Sequence, residues 1–152
     1  MLRNRFSEEL KESLKARDQR ATSTVRLILA ALKDRDIAAR GRGNSVGIPE
    51  DEILQMLQTM VKQRRESIEM YKKGGRQDLV TQEEEEIAVI ERYMPKQLGE
   101  AEVGAAVAAL IGELGAGSIK DMGRVMAAIK ERYAGQMDMA KASGIVKQQL
   151  TK

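Results

Sequence analysis

Ser118-Ile-Lys-Asp-Met-Gly-Arg-Val-Met-Ala-Ala-Ile-Lys130, with Tyr133-Ala-Gly-Gln-Met-Asp138 close behind, reads as a capped basic helix, a glycine stop and a second capped helix. Ser118 followed three residues later by Asp121 has the form of a capping box. Gly135 stands where a helix would end, and Asp138 can open the next one. The buried stripe predicted for the first of these helices is Met122, Val125 or Met126, Ile129 and Tyr133. That stripe leaves Lys120, Arg124 and Lys130 on or near the exposed side. The module offers positive charge and no catalytic side chain, so it points to recognition of an anion, RNA first.

Helical signals extend through the rest of the chain. Leu2, Phe6, Leu10 and Leu14 recur every four residues, which predicts one face of a first helix. A second helix follows Arg17-Asp18, with Ala21, Val25, Ile28, Leu29 and Leu32 as its stripe and an end near Ala39. Residues 41–47 hold three glycines and predict a flexible, basic loop. Pro49 suits the start of a third helix, and Glu50, Asp51 and Glu52 sit where the helix dipole favours anions. Its core face runs from Ile53 through Leu57, Met60, Val61 and Ile68 to Tyr71, and Gly74-Gly75 stops it after Lys73.

Thr81 with Glu84 three residues on predicts the cap of a fourth helix, opened by the glutamates 83–86. Those glutamates fan around the axis instead of converging, so a first turn seeking negative charge explains them better than a metal site does. Pro95 ends that helix and marks a domain boundary, giving an N-terminal helical domain over 1–95 and a C-terminal one over 96–152. In the second domain Val103, Ala106 or Val107, Leu110 and Leu114 predict a helix ending at Gly115. Helices at about 119–133 and 139–150 complete a three-helix lobe. The predicted class is all-α, an N-terminal bundle with a small C-terminal three-helix domain.

Composition excludes much chemistry. With 152 residues, no His and no Cys, the chain can bury a core but has no thiol nucleophile, imidazole base, disulfide or Cys/His zinc site. No phosphate-binding loop motif occurs, and Gly41-Arg-Gly43 lacks the rest of a dinucleotide fingerprint. Glu66 and Glu69, beside Lys62, Arg65 and Lys73, read as salt-bridged surface. No catalytic residue, metal ligand or cofactor is expected. The charged start and the lack of an 18-residue apolar run lead us to expect a soluble, cytoplasmic protein without membrane contact.

The net charge of +3 is unevenly spread. Residues 1–48 hold 11 Lys/Arg against 6 Asp/Glu, and residues 49–97 hold 8 against 11. From Ser118 onward seven bases meet three acids. Such asymmetry is a hint of polyanion binding, set against the solvated basic face common on helical proteins. Phe6, Tyr71, Tyr93 and Tyr133 are the only aromatics, and at least three fall on core stripes, so base stacking on a single strand is not expected. A folded RNA held through its phosphates fits better, and no DNA partner is expected.

These residues also carry a resemblance. Lys15-Ala-Arg-Asp, Lys62-Gln-Arg-Arg-Glu-Ser-Ile-Glu, Gly75-Arg-Gln-Asp-Leu, Tyr93-Met-Pro-Lys-Gln-Leu and Lys120-Asp-Met-Gly-Arg-Val-Met occur in order along nearly the whole chain. In these segments it resembles the YqeY proteins. The resemblance implies a helical bundle followed by a three-helix domain. It also implies kinship with the tail of the B subunit of the glutamine-dependent aminoacyl-tRNA amidotransferase, and with a module appended to some glutaminyl-tRNA synthetases. In both settings that domain contacts tRNA away from the chemical centre. The associated label, carbon–nitrogen ligase with glutamine as amide donor, belongs to parts this chain does not contain.

The tail-domain pattern falls on Lys120, Met122, Gly123, Arg124, Val125, Met126 and Gly135, although Gln136 and Met137 replace a basic residue and an alanine usual in the family. Gly123 within a helix costs about 1 kcal/mol relative to Ala, which predicts close packing against another helix or, second, close approach of RNA. Lys120, Arg124 and Lys130, with Lys141 and Lys147 from the last helix, are the candidate phosphate contacts. The expected partner is tRNA, with an aminoacyl-tRNA synthetase or an amidotransferase component alongside it. The alternatives are a protein adaptor of such a complex and a catalytic accessory to amide transfer.

Overall fold

The computed structural model describes residues 1–151, and every regular element among them is helical. The chain forms two compact units, Met1–Met94 and Pro95–Lys152.

The first unit contains α1 (Leu2–Lys15), α2 (Gln19–Gly41), α3 (Glu50–Lys73) and α4 (Gln77–Glu91). α1 packs on α2, and α4 packs on both α2 and α3. Its core includes Phe6, Val25, Ile28, Ile53, Met56, Leu57, Val80 and Ile90, all at most 1% exposed. In α1 the four-residue stripe leaves the core partway along. Leu2 and Phe6 are buried, Leu10 is half-buried and Leu14 is 49% exposed. The cause is geometric, since each four-residue step overshoots a full turn by about 40° and three steps turn the stripe by about 120°.

Two departures from the sequence reading concern charge. The basic loop after α2 is tied down. Arg3 grips Asp36 in a fork at 2.8 and 2.9 Å and donates to the Ile48 carbonyl, while the Ile48 N–H donates to Asp36 at 2.9 Å. The Asn44 side chain spans the turn to Gly47. Gly47 is obligatory there, because its φ is +108° and a Cβ would stand 2.7 Å from the Arg3 guanidinium. The Arg3 fork, opposed by burial and helped by the Ile48 N–H, holds the Asp36 carboxyl down at about 2.

The second departure is α4, which begins at Gln77 after Arg76, so Thr81 lies inside the helix and does not cap it. The four glutamates therefore occupy the middle of α4, where no terminal dipole acts on them. Their partners come from elsewhere. Glu86 is 6% exposed and accepts from Arg64 at 2.9 Å, with Arg20 at 3.9 Å, and Arg20 also reaches Glu85 at 3.0 Å. This group joins α2, α3 and α4. Burial, reinforced by the charge on Glu86, raises the neighbouring Glu83 carboxyl above its ordinary value. Arg65, expected to pair along its own helix, instead reaches Glu91 of α4 at 3.0 Å.

At the end of α4, Tyr93 is buried edge-on against Phe6 with ring centroids 4.8 Å apart. Arg5 lies over the Tyr93 ring and donates to the Arg92 carbonyl, and Arg92 pairs with Glu9 at 3.1 Å. Burial pushes the Tyr93 hydroxyl up to about 12. The tyrosine of the Tyr93-Met-Pro segment thus fastens α4 to α1.

The second unit contains α5 (Glu100–Leu114), a 3-10 turn (Ile119–Asp121), α6 (Met122–Arg132) and α7 (Met139–Leu150), packed pairwise. α5 ends at Gly115 in the left-handed region, φ +64°. The core comprises Val103, Val107, Leu110, Val125, Ile129, Met137, Ala142, Val146 and Leu150. Pro95–Gly99 leads into α5 along the α6–α7 turn, where the Leu98 N–H donates to the Gln136 carbonyl at 2.8 Å and the Gln97 amide to Gly135 at 2.5 Å. No single helix among the described residues is long and apolar enough to cross a membrane.

Candidate nucleic-acid interface

The residues that carry charge in the second unit are placed by short-range rules. The Asp121 carboxylate accepts from the Gly117 and Ser118 N–H groups and so starts the 3-10 turn that leads into α6. Those backbone donors, ahead of Arg124, lower its pKa. Asp138 caps α7 by accepting from the Ala140 N–H at 2.8 Å. Between the helices Gly135 is buried at φ +77°, two residues beyond Tyr133, the C-cap of α6. Val125 and Ile129 are fully buried, whereas Met122, Met126 and Tyr133 are half-buried.

This packing turns one face of α6 to solvent. Gly123, Ala127 and Lys130 are exposed along one line of α6 at intervals of four and three, and Lys120, in the 3-10 turn just before it, is exposed as well. The same arrangement recurs on α7, where Lys141, Gly144 and Lys147 are exposed at intervals of three. In both places a glycine lies between two lysines, although Lys120 belongs to the turn ahead of α6.

Close helix packing does not explain Gly123. A Cβ built there meets nothing within 4 Å, and the same holds for Gly144. The explanation expected first from the sequence fails, because both glycines face solvent and leave the helix backbone bare.

The five predicted cations divide into two kinds. Arg124 pairs with Asp121 at 3.1 Å, three residues back, and remains half-exposed. Lys120, Lys130, Lys141 and Lys147 make no ion pair with any described residue. The remaining arginine of the unit, Arg132, is forked onto Glu113 at 2.7 and 3.0 Å and is committed to holding α6 against α5. One further cation was missed. Lys96 is exposed, and its backbone runs beside the Gly135–Gln136 turn through the bonds of Gln97 and Leu98. Its signal was present in the Tyr93-Met-Pro-Lys segment, but only the fold reveals the turn beside it. No cluster of three or more carboxylates suited to a metal ion occurs among the described residues.

A four-helix N-terminal unit and a three-helix C-terminal unit define an all-helical protein. The sequence profile described as Yqey-like protein matches residues 3–150, and the chain therefore belongs to the YqeY family. Among its relatives are the proteins named "Altered inheritance of mitochondria protein 41, mitochondrial". The one from Lachancea thermotolerans is 32% identical over 72% of this chain and 57% of its own. The one from Eremothecium gossypii is 34% identical over 59% of this chain and 46% of its own, and the Saccharomyces cerevisiae protein is 30% identical over 57% and 44%. The chain thus spans about half the length of the curated relatives it matches.

Proposed function

We propose that this protein is a non-catalytic, tRNA-associated helical module whose C-terminal unit grips RNA phosphates through the outer faces of α6 and α7. One observation carries the reading. At α6 and at α7, lysines that pair with no described carboxylate flank a glycine that no packing among the described residues accounts for. Lysine presents a mobile point charge suited to phosphate, and a bare helix backbone lets a sugar-phosphate chain come close. The half-buried or buried aromatics leave no stacking platform, so shape and charge are the means of recognition. A tRNA partner would put the chain where translation runs, in the cytoplasm or in mitochondria, and the curated relatives, with their longer chains, are named as mitochondrial.

The test is binding of folded tRNA across a salt series, with the Lys120→Glu/Arg124→Glu/Lys130→Glu variant alongside. With roughly three to five phosphates contacted, the affinity should fall by about two to four decades for each tenfold rise in salt. The variant should lose most of that binding. Equal binding by the variant would remove the assignment.

A protein adaptor is the second reading, favoured by α5. Its outer face carries Ala105, Ala108, Ala109 and Gly112, all exposed and uncharged, which suits a helix from an aminoacylation or amidation complex. Loss of tRNA binding at every salt, with retention of a synthetase or amidotransferase component, would select it.

A further inference from the structure

The Lys15-Ala-Arg-Asp segment has no part in the reading above, yet the corner it forms between α1 and α2 is unusual. α1 ends with the N–H of Asp18 on the Ser13 carbonyl at 3.0 Å and that of Arg17 on Leu14 at 3.2 Å. That is the helix ending in which the left-handed position is ordinarily glycine. Here it is Arg17, at φ +55°, the one non-glycine residue with positive φ among those described. Its side chain is exposed, so packing gives no reason for an arginine at a strained position.

Arg17 stands at the lip of an open cleft of about 400 Å³, lined also by Leu14, Gln19, Thr22, Ser23 and Arg26. That volume falls within the range of small-molecule sites, about 300–1,000 Å³. The base is rigid, because the Thr22 hydroxyl is held by the Asp18 carbonyl at 2.8 Å and by Ser13 at 3.0 Å. Six of the twelve arginines of this unit are tied to carboxylates, and Arg17 and Arg26 are among the six that pair with none among the described residues. The nearest acid in sequence, Asp18, has its carboxylate on the Ala21 N–H. Arg20, on the same stretch, is taken by Glu85. Two uncommitted guanidinium groups therefore share a cleft with one aliphatic wall, Leu14, which is 49% exposed.

We propose that this cleft binds a phosphate ester. Arg17 and Arg26 each offer a planar fork that matches phosphate oxygens, Gln19 and Ser23 add polar groups, and Leu14 receives the carbon skeleton of the alcohol. The same chemistry is supplied by a free nucleotide or by one phosphate of an RNA strand. The site is formed wholly by residues of the first unit and shares none with the α6 and α7 faces.

The test is a residue-resolved amide titration of the full chain with inorganic phosphate, a ribonucleoside 5′-monophosphate and a short oligoribonucleotide. Saturable shifts of residues 14–26 are expected, separate from any that the oligoribonucleotide produces on α6 and α7, and weakened about tenfold in Arg26→Ala, for the loss of one charge-assisted contact. Tighter binding of the mononucleotide identifies a small ester, and tighter binding of the oligonucleotide identifies a strand. Arg17→Gly separates binding from folding: it relieves the left-handed strain, so it should melt above the parent protein while binding the ester more weakly. The proposal is overturned if none of the three probes shifts residues 14–26, or if both variants bind as the parent does.

Discussion

In the N-terminal unit, Arg3, Arg20, Arg64, Arg65, Arg76 and Arg92 each reach a carboxylate, whereas in the C-terminal unit Lys120, Lys130, Lys141 and Lys147 reach none among the described residues. The first set is arginine, mostly bridging different helices, and in one case, Arg64, partly buried. The second is lysine, on solvent faces interrupted by glycine. Charge composition alone treats the two sets alike. What separates structural charge from charge available to a partner is whether the fold brings a carboxylate to it.

The largest effect expected from this contrast lies at Glu86. Replacing Glu86 by Ala leaves Arg64 partly buried without its partner and should cost the N-terminal unit about 3 kcal/mol. Hydrogen exchange at core amides of α2, α3 and α4 measures it. Lys130→Ala should stay within about 0.5 kcal/mol by exchange in α6. Similar costs at the two positions would erase the distinction between the two sets of charges.

Next comes the core of the smaller unit. Ile129 is fully buried between α6 and its neighbours, and Ile129→Ala should cost about 2–4 kcal/mol in that unit through lost transfer energy and the cavity left behind. Exchange in α5 and α7 should speed up with it, while α3 keeps its protection if each unit rests on its own core.

Smaller again is the pH dependence of the Arg3–Asp36 clasp. Asp36 titrates at about 2 in the folded chain against an ordinary 3.8, so its contribution is present above pH 4 and is lost as pH falls from 4 through 2. Urea unfolding followed from pH 5 to 2 should show about 1–2 kcal/mol of this loss in the parent and correspondingly less in Asp36→Asn. Equal slopes in the two proteins would mean the clasp contributes nothing net.

Much of the fold was legible because helix ends are written locally. Gly115, Asp121 and Asp138 act within four residues of themselves, and the structure places them at the ends their chemistry indicates. The start of α4 was misread because a threonine and a glutamate three apart look like a cap wherever they fall. Val80, seven residues before Ile87 and ten before Ile90, lies on the same buried stripe and carried the signal that the helix begins earlier. The partners of Glu86 lie 22 and 66 residues away, at Arg64 and Arg20, and no local pattern announces them. At the candidate site the exposure of the lysines could be read from the α6 and α7 stripes. The emptiness around Gly123 could not, since a glycine facing a neighbouring helix and one facing water look identical in sequence.

That glycine supplies the smallest and most discriminating change. A Cβ at position 123 meets nothing within 4 Å, so Gly123→Ala should stabilise α6 by about 0.5–1 kcal/mol through lower chain entropy in the unfolded state. Stability alone therefore favours alanine. If the bare backbone serves an approaching sugar-phosphate chain, the same variant should bind folded tRNA more weakly while melting higher, with its salt dependence unchanged because no charge has been removed. Lys130→Ala should do the reverse, leaving the melting point in place and lowering the salt slope by about one contact. A Gly123→Ala protein that is more stable and binds tRNA as well as its parent would leave the lysines as the whole interface and the glycine as a cost without a function. Opposite movements of stability and affinity would tie the glycine to the partner.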